Sequence, residues 1–127
     1  MRTQLGMFIV ALAIAAGCLP ATASAGHPLD SNCSPTGDFC TGVFASHGSI
    51  SAVLRTFSFR GDYELCIRPP GDRFDCRTFT LRSKVNGIYE GRVGLARQFG
   101  PLRGGRYAIR WVASGNPIGR VLHFTID

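Results

Sequence analysis

The chain has 127 residues, with 14 Lys or Arg against 8 Asp or Glu, for a net charge of +6. No internal repeat, charge block or low-complexity linker divides it, so one small domain is the natural count. Beyond residues 1–25 no stretch is apolar enough to span a bilayer as a helix, and the basic balance favours anionic polymers and membrane surfaces as partners.

Residues 1–25 read as a secretory signal peptide. Arg2 supplies the positive start, Leu5 to Ala16 the apolar run, Pro20 the break, and Ala23-Ser24-Ala25 the small residues that a signal peptidase fits. Removal after Ala25 gives a secreted, extracellular protein beginning at Gly26. The alternative is a lipobox, Ala15-Ala16-Gly17-Cys18, in which acylated Cys18 anchors the protein to a membrane. Either route leaves Cys33, Cys40, Cys66 and Cys76, an even set suited to disulfides in an oxidising compartment. Sequence order favours Cys33–Cys40 with Cys66–Cys76, and closing loops this short is worth roughly 2.5 kcal/mol each.

Residues 26–42 are rich in Gly, Pro, Ser, Asp and Asn without periodicity, which predicts an irregular segment tied down by the Cys33–Cys40 link. The sandwich domain proper is expected over 43–127, where short apolar stretches recur between turn signals. Val43–Ser46 and Ser49–Phe59 are the first candidate strands, and Arg60-Gly61-Asp62 turns the chain. Tyr63, Leu65 and Ile67 then share one face while Glu64, Cys66 and Arg68 share the other. After the Pro69-Pro70-Gly71-Asp72 turn, Phe79 and Leu81 alternate with Cys76, Thr78, Thr80 and Arg82. Cys66 and Cys76 thus both lie on the face away from the apolar set, and a bond between them spans the hairpin without disturbing a core.

Asn86-Gly87 marks another turn. The next strand carries Tyr89, Val93, Leu95 and Phe99 on one side and Glu90, Arg92 and Gln98 on the other. A loop from Gly100 to Gly105 leads to Tyr107, Ile109 and Trp111, opposed to Arg110. Ser114-Gly115-Asn116-Pro117 turns into a last strand, where Leu122, Phe124 and Ile126 alternate with Val121, His123 and Thr125. No 3.6-residue apolar period occurs outside the signal. The fold class is therefore all-β: a two-sheet antiparallel, immunoglobulin-like sandwich of about seven strands, braced by disulfides. Trp111 and Tyr107 are expected in its core, with their polar tips partnered.

The segment Tyr63-Glu64-Leu65-Cys66, the spacing from there to Cys76, and the closing Gly105-Arg106-Tyr107-Ala108-Ile109-Arg110-Trp111 resemble small secreted bacterial immunoglobulin-like sandwich proteins. The resemblance runs from Val43 to Asp127 and implies an architecture, which does not specify a function. The hairpin disulfide is similar to that of neocarzinostatin-type apoproteins, sandwiches that carry a chromophore in a cleft. The second disulfide of that family lies late in the chain, whereas the other pair here is amino-terminal. The final hairpin, from Gly105-Arg106-Tyr107 through Ser114-Gly115-Asn116-Pro117 to His123-Phe124, is similar to that of CopC-like copper carriers. Asn116 stands where that family has a histidine before the turn proline. His27 and His47 are the remaining candidates for copper, since neutral imidazole suits Cu(II).

Catalytic motifs are missing: the chain has no Gly-x-Ser-x-Gly, no His-Glu-x-x-His, no P-loop and no dinucleotide fingerprint. Asp72 and Asp75 flank a turn that they cap or solvate, and Glu64 reads as an exposed partner for an arginine. The cysteines serve better as disulfides than as metal ligands, and no cofactor is implied.

Arg68, Arg82, Arg92, Arg110 and Arg120 each fall on or beside the polar side of a different candidate strand. If those strands share a sheet, the guanidinium groups form a positive surface able to grip carboxylates or phosphates. The plainer alternative is a solvated face on which arginines pair with Glu64, Glu90 and nearby Asp residues. The sequence thus predicts a monomeric, non-catalytic secreted binding or envelope-associated module for an anionic polymer. The alternative is a small inhibitor or effector of another extracellular protein, contacting through the Cys33–Cys40 loop or the Pro69–Phe74 turn. A small-ligand or copper carrier and an enzyme rank behind both. Nucleic acid is disfavoured because interleaved exposed aromatics are lacking.

Overall fold

Side chains alternate between two faces along a strand, and between Val43 and Arg68 one such set, Val43, Ala52, Leu54, Tyr63, Leu65 and Ile67, is buried in the core. In a computed structural model describing residues 26–127, the strands are β1 (His27–Cys33), β2 (Phe39–Ser46), β3 (Ser49–Thr56), β4 (Asp62–Arg68), β5 (Asp75–Thr80), β6 (Arg82–Ser83), β7 (Tyr89–Gly94), β8 (Gly105–Ala113) and β9 (Asn116–Ile126). A short helix α1 (Leu95–Phe99) follows β7. The signal segment and Cys18 lie outside the described residues.

The strands form a first sheet in the order β1-β2-β3-β7-β6 and a second in the order β5-β4-β8-β9. Every neighbouring pair is antiparallel. The protein is an all-β sandwich with both expected disulfides, Cys33–Cys40 and Cys66–Cys76, each joining directly opposed residues of adjacent strands. Between the sheets lie Val43 and Leu54 from the first and Tyr63, Leu65, Ile109, Trp111 and Leu122 from the second, all buried. Tyr63 reaches across to the first sheet at Gly91, where any side chain would overlap its hydroxyl.

The structure corrects three expectations. Residues 26–42 are not irregular: they hold β1 and the start of β2. Asp30, Ser31 and Asn32 are poor strand formers, but β1 borrows its order from β2 through a ladder of register pairs, interrupted at Leu29 and closed by Cys33↔Cys40. Pro28, which has no N–H to donate, is tolerated because β1 is an edge strand, and the register shifts beside it.

The described residues form nine strands, against about seven expected. β1 adds one strand, and the stretch around Leu81 splits into β5 and β6. Once Thr80 has paired with Asp62, β4 offers no further partner, and the chain crosses between sheets with Leu81 buried at the crossing.

Leu95 and Phe99, placed on a strand by period-2 reasoning, belong to α1. A four-residue spacing satisfies both the strand and the helix repeat, so the two residues reach the core either way.

One edge of the sandwich is fastened by charge. Asp30 on β1 accepts two hydrogen bonds from the Arg120 guanidinium on β9, at 2.9 and 3.1 Å, and a third from the His123 backbone N–H at 3.0 Å. Arg120 also donates to the Ser31 carbonyl. Hydrogen bonding from Arg120 is the largest influence on Asp30. Together with the His123 and Ser31 N–H groups it outweighs burial and holds the carboxyl at about 2, against an ordinary 3.8. A carboxyl lowered by folding contributes stability that is present above its unfolded value and is lost as pH falls through its folded value. Thermal stability is therefore expected to drop between about pH 4 and pH 2, with the β1 amides losing hydrogen-exchange protection first. In Asp30→Asn the slope over that window should flatten, and an unchanged slope would remove Asp30 as its source.

Candidate functional site

The outer face of the first sheet is set by the odd positions of β3. Leu54 points into the core, so Val53 and Arg55 point out, opposite Gly42 and Cys40 of β2 and Arg92 and Glu90 of β7. Gly42 has no side chain, and the ring of Phe44 fills the vacated space: a Cβ there would come within 2.6 Å of it. Val53 is only 4% exposed although it is on the solvent side of the sheet. Gly42, Val53, Phe44 and the Cys33–Cys40 disulfide thereby line an apolar recess of about 260 Å³, with Arg55 and Arg92 at its margin.

Beside the recess stands a cluster of cations around one carboxylate. Glu90 is 8% exposed and meets Arg55 Nε at 2.8 Å, Lys84 Nζ at 3.2 Å and Arg92 Nη2 at 3.8 Å. Arg82 is its direct cross-strand partner in the β6–β7 pair. Burial pushes the Glu90 carboxyl up, but hydrogen bonds from Arg55 and Lys84, with their charges, more than offset it and leave it lowered. One ionised carboxylate cannot neutralise four cations. The cationic side chains stay half in water, with Arg55 at 60%, Lys84 at 56% and Arg92 at 40% exposure, so their unused donors face outward.

The same cluster borders a wider cleft of about 620 Å³ at the edge where β5 faces β6 and β7. Thr78, Gln98 and Tyr63 also line it. Burial pushes the Tyr63 hydroxyl up to about 12, so it is a neutral donor at physiological pH. Arg92 lines both hollows and joins them into one strip.

The five arginines singled out in the sequence do not form one surface, because their strands do not share a sheet. Arg82 and Arg92 lie in the first sheet, within the Glu90 cluster. Arg68 and Arg110 lie in the second, where both stack on the ring of Phe74. Arg120 is engaged by Asp30. Arg55, Lys84, Gly42 and Phe44 were not singled out in the sequence. The sequence analysis assigns no inward and outward sets along Ser49–Phe59, and which residues of β2 and β7 lie beside Val53 and Arg55 depends on pairing register.

Other sequence candidates separate as well. Glu64 makes no ion pair among the described residues, and its carboxylate stands beside the bonded sulfurs of Cys66 and Cys76. That trio is the only grouping of three potential metal-ligand residues among the described residues, and its cysteines are spent on the disulfide. His27 lies on β1, His47 in the β2–β3 turn and His123 on β9. Asp72 caps its turn by accepting from the Arg73 N–H at 2.7 Å. The Tyr107 hydroxyl donates to the Arg103 carbonyl at 2.7 Å, as expected of a buried tyrosine, but the Trp111 indole N–H has no partner among the described residues. No helix among the described residues is long and apolar enough to cross a membrane.

No protein-family model matches this chain, and no curated protein matches it. Among solved structures, the chain is similar to a Br derivative of BhCBM56, at 14% identity and a TM-score of 0.45, over 76% of this chain and 99% of that one. A likeness of that degree carries no argument about function.

Proposed function

We propose that the protein is a non-catalytic extracellular binding module that holds an acidic polysaccharide on the outer face of its first sheet. The observation carrying this reading is the excess of cations around Glu90, set against an apolar recess. A sugar ring has apolar C–H faces that suit Phe44, Val53 and the floor at Gly42. Its acidic substituents suit the free donor edges of Arg55, Arg82, Arg92 and Lys84. The two disulfides support an oxidising compartment, in keeping with export.

The test is binding to immobilised polygalacturonate at low and high salt, with uncharged dextran as the control polymer. Binding to polygalacturonate alone is expected, weakening as salt shortens the screening length. The double variant Arg82→Gln, Arg92→Gln is expected to lose about tenfold in affinity, in the range of two partly exposed ion pairs. Arg55 and Lys84 remain to hold Glu90 in that variant, and an unchanged circular dichroism spectrum would verify the fold. Equal binding by the variant, or no binding at any salt concentration, would overturn the assignment.

A further inference from the structure

The outer face of the second sheet carries a separate arrangement. Arg68 on β4 and Arg110 on β8 lie on adjacent strands, and Phe74 is the last residue of the β4–β5 connection. The guanidinium carbon of Arg110 sits 4.3 Å from the ring centroid and that of Arg68 sits 5.2 Å from it. Stacking on an aromatic ring uses the face of a guanidinium and leaves its N–H edge free. Among the described residues, no carboxylate lies within ion-pair distance of either group. Arg110 Nε is buried with no hydrogen-bond partner among the described residues, so this cation has lost part of its hydration and received no counter-charge from them in return. Of the other arginines assigned to a binding role in the sequence, Arg92 and Arg120 lie within ion-pair distance of a carboxylate, and Arg82 is the cross-strand partner of Glu90.

We propose that Arg68 and Arg110, held on Phe74, form a second anion site that takes a single oxyanion group, a carboxylate or a phosphate. Two forked donors on one ring are already oriented, so little side-chain freedom remains to be lost on binding. An anion approaching a partly dehydrated cation gains more than it would at a solvated lysine. The site is on the opposite face of the sandwich from the Glu90 cluster and does not depend on it.

The experiment follows the Arg Nε–Hε resonances of the ¹⁵N-labelled protein during titration with trigalacturonate and, separately, tripolyphosphate. The Arg68 and Arg110 signals are expected to move together and to saturate with at least one probe. Which probe acts at lower concentration distinguishes carboxylate from phosphate. Arg110→Lys keeps the charge and loses the fork, and should weaken the saturating shift at Arg68 by about fivefold or more. Phe74→Leu should weaken it similarly by removing the flat support, with Arg110→Lys serving as the independent check if that variant folds poorly. Signals that stay put with both probes would overturn the proposal, as would equal affinity in Arg110→Lys. The Arg82 and Arg92 signals report the first-sheet surface in the same titration, so failure of one site is read separately from failure of the other.

Discussion

Trp111→Ala is expected to lower the free energy of unfolding by about 3–5 kcal/mol, a large share of the ~5–15 kcal/mol that a small domain possesses. Trp111 is fully buried on β8, a central strand of the second sheet, opposite Leu65 on β4 and Ile118 on β9. Neighbours in two directions limit collapse into the space left behind, which is the condition under which a cavity costs most. Trp111→Phe should cost much less, about 1–2 kcal/mol, because it fills most of the volume and removes an indole N–H that has no partner among the described residues. The protein has one tryptophan, so urea unfolding is best followed by circular dichroism rather than fluorescence. A loss below ~1 kcal/mol in Trp111→Ala would mean that the β8 core relaxes far more freely than a well-filled interior does.

Removing the Cys66–Cys76 link in the double variant Cys66→Ala, Cys76→Ala is expected to cost about 2–3 kcal/mol, from closure of a short loop in the unfolded chain and the loss of a buried sulfur. Cys66 is 1% exposed on the outer side of β4, between Cys76 and Arg110. The bond therefore fastens β5, whose residues are otherwise mostly exposed, to the centre of its sheet. The effect should appear as a lower thermal midpoint together with faster hydrogen exchange in β5. In the matching Cys33→Ala, Cys40→Ala variant the exchange increase should be confined to β1 and the start of β2. If both variants loosened the same strands, the two links would not be acting locally.

Much of the fold was legible because burial imposes a two-residue period. Tyr63-Glu64-Leu65-Cys66-Ile67 declares its inward and outward sets directly, and those sets agree with the Cys66–Cys76 pairing that sequence order favours. β1 was illegible for the opposite reason: Asp30, Ser31 and Asn32 carry no apolar period, and their order comes from β2 and from Arg120, which is distant in sequence. α1 was hidden because a strand and a helix both bring positions four apart to one side. The candidate site was half legible. Alternation put Arg82 and Arg92 on an outer face, but their neighbours Arg55 and Lys84 depend on which strands pair. A strand's sequence states its faces and is silent on its partners, so five arginines that read as one set became two pairs and an internal tie.

The placement of Cys33–Cys40 also bears on mechanics. A pull on the amino-terminal end of β1 loads its ladder one rung at a time, beginning at His27↔Ala45 and passing Asp30 before it reaches Cys33↔Cys40. At that rung the load meets a covalent bond, and tension passes directly into β2, which is paired along its full length with β3. Peeling is thus arrested after one strand, and a stretched molecule would surrender β1 while keeping both sheets around Trp111 intact.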